Sequence, residues 1–177
     1  LDNEVQKTIK QTIENLKNQG HELEYISFPL LDFLVPTYYV LTTAEASSNL
    51  ARYDGIHFGY RTTASKSLEQ TYVLSRTEGF GEEVKRRIML GTFVLSAGYK
   101  EAYYRKAQQI RRVVENKTQE ILQKFDFILS PTTPHTAFDI GDKQPDPTKR
   151  YLEDIFTVHA NITGNPAISL PLYTHTN

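Results

Sequence analysis

Three helical stretches follow one another through the middle of the chain, over residues 67 to 77, 80 to 97 and 99 to 124. Apolar residues return in them at intervals of three and four, the period of a helix with one buried face. In the longest stretch Tyr103, Ala107, Ile110, Val114 and Ile121 share one side. Helix dominates the middle, and whatever the flanks form has to pack against it.

The flanks bring in strand patterns. Residues 2 to 19 carry Val5, Ile9, Ile13 and Leu16 at helical spacing and stop at Gly20, a helix with a glycine terminator. "HELEYISFP" then alternates up to Pro29, as a strand leaving a helix does. A second helix is expected from Pro36 to the Asp54-Gly55 turn. "FDFILSPTTP" holds a short apolar run cut by Pro131, the pattern of a strand buried on both faces. The long polar loop after it, "SPTTPHTAFDIGDKQPDP", stands where α/β proteins usually seat ligands. "DPTKRYLEDIFTV" restarts a short helix, with Asp146 as N-cap and Pro147 at the first helical position. "GNPAISLPL" reads as a last buried strand. The expected class is α/β.

One helix raises a chemical question. In "EGFGEEVKRRIMLGTFVLS", at about 100° per residue, Val84, Ile88, Gly91 and Leu95 form the buried stripe. Arg86 falls opposite. Arg87 falls roughly 60° from the centre of the stripe, so its stem must cross apolar surface before the guanidinium emerges. A cation there needs an anion. Two readings stand: a snorkelling arginine paired with a structural carboxylate, or a fork that holds a substrate carboxylate.

Composition narrows the alternatives. A chain of 177 residues can bury about 70% of its unfolded surface and needs no covalent staples. With no cysteine, disulfide frameworks, thiolate metal sites and a cysteine nucleophile are excluded. A net charge of −1 gives no global field to recruit nucleic acid or anionic membrane. The longest helix holds seven lysines and arginines against Glu101, Glu115 and Glu120, which is either a solvated face or a docking surface. His21, His57, His135, His159 and His175 show no metal-ligand spacing, and Ser47-Ser48 reads as a small packing contact inside a helix. Phosphate loops, nucleophile elbows and metalloprotease motifs are absent.

Longer phrases add what periodicity does not. "YYVLTTAEASSNLARYDGIHFGYR", "SRTEGFGEEVKRRIMLGTFVLSAGY", "YYRKAQQIRR", "FDFILSPTTPHTAF" and "DIFTVHANITGNPAISLP" resemble the amidase-signature family. Within it they resemble the glutamine-hydrolysing subunits of tRNA-dependent amidotransferases. The resemblance implies an α/β/α fold, a mixed sheet flanked by helices, of which residues 1–177 would be a helix-rich, carboxyl-proximal part of a single domain. Family members use a Ser-Ser-Lys triad, in which one serine attacks the amide, the other relays protons and the lysine acts as base. The glycine- and serine-rich stretch that carries the serines has no counterpart here, so it is expected upstream. No catalytic residue is assigned to this chain, and alone it should be inactive.

The resemblance does carry over substrate-binding positions. Tyr38 in "TYYVLTTAEASSN" resembles a pocket tyrosine, Arg87 in "VKRRIMLGT" the clamp on the glutamine α-carboxylate, and Asp154 in "YLEDIFT" the partner of its α-ammonium. An amino-acid zwitterion held at both charges presents its side-chain amide in one orientation. Implied partners are subunits B and C and, through the complex, Glu-tRNA(Gln). No cofactor is implied in this chain; ATP and Mg²⁺ would serve a partner subunit. The setting would be cytoplasmic. His159 and Asn165 depart from the family pattern, which has a proline and an apolar residue there. Two rival readings are another amidase-signature hydrolase and a non-catalytic module that docks protein or tRNA.

Overall fold

The computed structural model describes residues 1–141 and 147–173. They fall into two compact units, one of Leu1–Pro36 with Ile110–Asn177 and one of Thr37–Gln109. In chain order the helices are α1 (Asn3–Asn18), α2 (Leu31–Asn49), α3 (Leu68–Gly79), α4 (Glu82–Leu95), α5 (Lys106–Leu122), α6 (Pro147–Leu152) and α7 (Val158–Thr163). A short 3₁₀ turn, Leu50–Arg52, follows α2, and a π-helical turn, Lys100–Arg105, leads into α5.

Local chemistry sets the helix ends. Asp2 caps α1 by accepting from the Glu4 amide at 2.8 Å, and Gly20 takes a left-handed φ of +91° just past its end. Ser67 caps α3 by accepting from the Gln70 amide at 3.2 Å, while the Gln70 side chain accepts from the Lys66 amide at 2.9 Å. Glu82 and Glu83 sit in the first turn of α4, where the helix dipole favours anions. Gly164, at φ +73°, ends α7.

In the first unit the core forms where α5 meets α7. Val114, Thr118 and Ile121 of the one and Val158 and Ile162 of the other are buried. Polar groups tie the same contact. Arg111 Nε donates to the Ile162 carbonyl at 3.0 Å. Thr118 Oγ1 donates to the Val114 carbonyl at 2.9 Å and lies 2.8 Å from His159 Nε2. With the hydroxyl proton engaged by Val114, the histidine must donate, which fixes the Nε2–H tautomer. Phe28 packs edge-on to the His159 ring, centroids 5.0 Å apart. Arg111, expected on a solvated or docking face, is therefore structural. Arg112, Lys117 and Arg105 instead pair with Glu115, Glu120 and Glu101.

Several expectations are corrected. The second helix begins at Leu31, not Pro36, and encloses that proline; Pro36 lacks an N–H to donate, but the turns on either side continue past it. Tyr103 is exposed rather than on the buried face of the long helix. The wider π-helical turn before Lys106 shifts the phase, so the stripe starts at Ala107 and continues through Thr118, which apolar periodicity passes over. Pro147 does open a helix, whereas its expected N-cap, Asp146, lies outside the described residues.

No strand forms among the described residues, so a mixed sheet is not seen. The three segments that alternate or run apolar lie in the open: Tyr25 is 77% exposed, Phe127 89% and Ile168 81%. A strand is satisfied only by a ladder of bonds to a neighbour's backbone, and among the described residues none of these segments has such a ladder. One side-chain contact, Thr132 Oγ1 to Ser169 Oγ at 3.3 Å, links the second and third of them. No helix among the described residues is long and apolar enough to cross a membrane.

Candidate substrate-binding site

In the second unit, α2 and α4 approach so closely that a side chain at Gly91 would have no room. A Cβ there would stand 1.9 Å from the Thr43 carbonyl oxygen and 2.6 Å from Ser47 Cβ. Thr42 and Thr43 turn their hydroxyls back onto the Tyr38 and Tyr39 carbonyls of their own helix, at 2.8 and 2.6 Å, which leaves a low ridge for α4 to meet. Ser47 Oγ lies 3.0 Å from Thr92 Oγ1, so the serine is the packing contact its sequence suggests.

One turn back along each helix from this contact lie Tyr39 and Arg87. The Arg87 guanidinium carbon stands 5.5 Å from the centre of the Tyr39 ring, within cation–π range. Tyr39 is buried, and Tyr38 meets it edge-on, with centroids 5.3 Å apart and planes at 90°. Two of the three sequence-derived residues thus lie against one buried ring. Tyr39 itself escaped the sequence reading, since nothing in "TYYV" tells which tyrosine carries the cation.

Arg86 and Arg87 differ less than helical angles suggest. Their side chains are 54% and 37% exposed, so Arg87 is the more covered of the two but not buried. Both pair with Glu83, Arg87 through Nε at 3.0 Å. Burial by itself would push the Glu83 carboxyl up; the Arg87 hydrogen bond and the two cationic charges outweigh it and hold the carboxyl below its usual range. Glu83, four residues before Arg87 on one helix face, was visible in the sequence as an i,i+4 partner. It fixes the guanidinium by one edge above Tyr39.

Asp154 belongs to the first unit, in the turn between α6 and α7. It is partly covered, and its carbonyl accepts from the amides of Thr157 and Val158, both at 3.0 Å. Residues 130–141 of the loop expected to seat a ligand also lie in this unit, whereas its residues 142–146 lie outside the described residues. The loop borders a cavity of about 280 Å³ that Thr8, Ile9, Thr132, Thr133, His135 and Leu170 help to line. His135 Nδ1 lies 2.9 Å from Glu153, and the Asp2 amide donates to the Pro134 carbonyl at 2.8 Å. None of Tyr38, Arg87 and Asp154 lines that cavity. Among the described residues no cluster of three or more histidines and carboxylates could hold a metal ion.

Comparison with known proteins supplies the family. A family model described as Amidase matches residues 1–177. The chain is similar to proteins named as the A subunit of glutamyl-tRNA(Gln) amidotransferase: that of Pelodictyon phaeoclathratiforme is 55% identical over 97% of this chain, and that of Chlorobium phaeobacteroides 54% identical over 97%. A protein of the same name from Clostridium botulinum is 50% identical over 97%. The chain spans about 36% of the length of the first two and 35% of the third. Matched by the family model along its whole length and sharing half or more of its aligned residues with these relatives, the chain belongs to the amidase family.

Proposed function

We propose that this chain is part of the glutaminase subunit of a tRNA-dependent amidotransferase, and that it holds glutamine rather than attacking it. The full protein would release ammonia from glutamine. Subunits B and C would then use the ammonia, with ATP and Mg²⁺ bound by a partner subunit, to convert Glu-tRNA(Gln) to Gln-tRNA(Gln) in the cytoplasm. The relatives' shared name supports the reaction. The observation that carries the binding role is the Arg87 guanidinium held by Glu83 over the Tyr39 ring, with Tyr38 at the ring's edge.

In this reading Arg87 receives the α-carboxylate by charge-assisted hydrogen bonds, and Tyr38 provides a wall of the pocket. The family resemblance assigns the α-ammonium to Asp154. A substrate tethered at both charges leaves its amide in one place, and such positioning can supply several kcal/mol of barrier lowering, within the roughly 7–11 kcal/mol available to well-oriented reactions. The nucleophile is assigned to no residue of this chain, so the isolated chain should release no ammonia.

The test is ammonia release from glutamine by the full-length protein assembled with its B and C partners, for wild type, Arg87→Ala and Arg86→Ala. Loss of kcat/KM by about a hundredfold or more in Arg87→Ala, against less than about threefold in Arg86→Ala, is expected for a carboxylate clamp. Equal and small effects would leave Arg87 as a structural partner of Glu83 and turn the assignment toward an amide substrate without a zwitterion.

A further inference from the structure

Two contacts of different kinds fix the Arg87 guanidinium, and both lie inside the second unit. Tyr39 is buried on α2, and its carbonyl accepts from Thr43 Oγ1 at 2.6 Å. Its ring, braced edge-on by Tyr38, stands 5.5 Å from the guanidinium carbon. Glu83, four residues before Arg87 on α4, accepts from Nε at 3.0 Å. Contact with a ring face limits where a guanidinium can stand, and a bond to Nε limits how it can turn. The close approach of α2 and α4 at Gly91 brings the two helices that carry these contacts together.

Stability alone does not account for Glu83. Its side chain is 44% exposed and that of Arg87 37%, and an i,i+4 ion pair so open to water adds little to a fold. The consequence lies in which donors the pair engages. Nε carries one N–H, and Glu83 takes it, so a carboxylate ligand has to be met by the two Nη groups. Their N–H bonds lie in the guanidinium plane, and a carboxylate is matched by two parallel bonds only when it shares that plane. A lysine in the same place would bring the charge but no plane to set.

We infer that Tyr39 and Glu83 are positioning residues that fix the plane of the Arg87 guanidinium, and that this plane, beyond the charge, selects amides bearing a free α-carboxylate. The inference rests on the glutaminase reading and deepens it: specificity at the carboxylate end would belong to a three-residue socket on α2 and α4. Neither Tyr39 nor Glu83 has to touch the substrate for this, since both act through Arg87.

The experiment uses the full-length protein assembled with its B and C partners and compares ammonia release from glutamine and from glutaminol, the analogue with an alcohol in place of the α-carboxylate. The readout is the ratio of the two kcat/KM values, which a general loss of folded enzyme leaves unchanged. Glu83→Ala and Tyr39→Leu should each lower that ratio at least about fivefold and Arg87→Lys at least about tenfold, while Glu83→Gln and Tyr39→Phe, which keep an acceptor and a ring, should stay within about twofold of wild type. In an Arg87→Ala background, Glu83→Ala should change kcat/KM for glutamine less than about twofold, because residues that act through one another are not additive. Melting curves accompany each variant, and the half-exposed Glu83 keeps the test sound should Tyr39→Leu fail to fold. A ratio that Glu83→Ala leaves within about twofold of wild type, an equal fall in Glu83→Gln, or an Arg87→Lys variant as selective as wild type overturns the inference while leaving Arg87 as a clamp by charge. A ratio that Arg87→Ala itself does not move would instead sink the carboxylate clamp and take this inference with it.

Discussion

At the scale of single residues, the two positions where the resemblance led us to expect a proline and an apolar residue end up with opposite fates. Asn165 keeps a buried Oδ1 without a hydrogen-bond partner. His159 finds Thr118, and desolvation alone depresses its pKa below the ordinary 6.5. The unfolded chain therefore takes up a proton, as pH falls through about 6.5, that the folded chain refuses. Stability present above that pH is lost as pH drops from there toward the lower folded value. Melting temperatures at about pH 7.5 and about pH 5.5 should differ more for wild type than for His159→Gln, whose amide can still donate to Thr118 but does not titrate. An equal difference in both proteins would mean that His159 takes up its proton alike in the folded and the unfolded chain. The sequence showed a histidine where a proline was expected and no more; its role depends on Thr118, 41 positions earlier in the chain.

At the scale of elements, the helices were legible and their contacts were not. Periodicity and caps are local, so α1, α3 and α4 lie close to where the sequence placed them, while the phase shift before α5 and the early start of α2 depend on turns that periodicity cannot count. Gly91 shows the difference. In the sequence it is one member of a stripe; in the structure it is the reason α2 and α4 touch. Ala is the better helix former by about 1 kcal/mol, yet the added methyl would meet the Thr43 carbonyl, and backbone cannot swing aside as a side chain can. Gly91→Ala should lower the melting temperature by several degrees, since overpacking costs about 1–3 kcal/mol and more where the neighbour is main chain. It should also part Tyr39 from Arg87, one turn away on each helix, and so, on the function proposed above, raise KM for glutamine in the assembled complex. A melting temperature at or above that of wild type would show that α4 can rotate to make room, and would remove Gly91 as the spacer of the candidate site.

At the scale of the molecule, the same logic explains why the expected sheet is missing from what the sequence could specify alone. "FDFILS" and "NPAISLPL" carry strand composition, but a strand is completed by residues far away in the chain, and no described segment offers an edge to either. Phe127 and Ile168 consequently stand among the most exposed apolar side chains. Unpaired edges bearing apolar groups are templates for pairing with another chain. The 177-residue chain on its own should therefore self-associate as concentration rises, and do so through these segments rather than through its helices. Light scattering on the isolated chain should show growth with concentration that Phe127→Ser combined with Ile168→Ser reduces several-fold, while circular dichroism keeps its helical signal. The double variant alters side chains that stand almost wholly in the open, so an unaltered association would point to another exposed apolar surface, such as that of Tyr53, Phe58 and Tyr60. Loss of association in the double variant would mean that the strand-like segments are the adhesive surfaces of the chain.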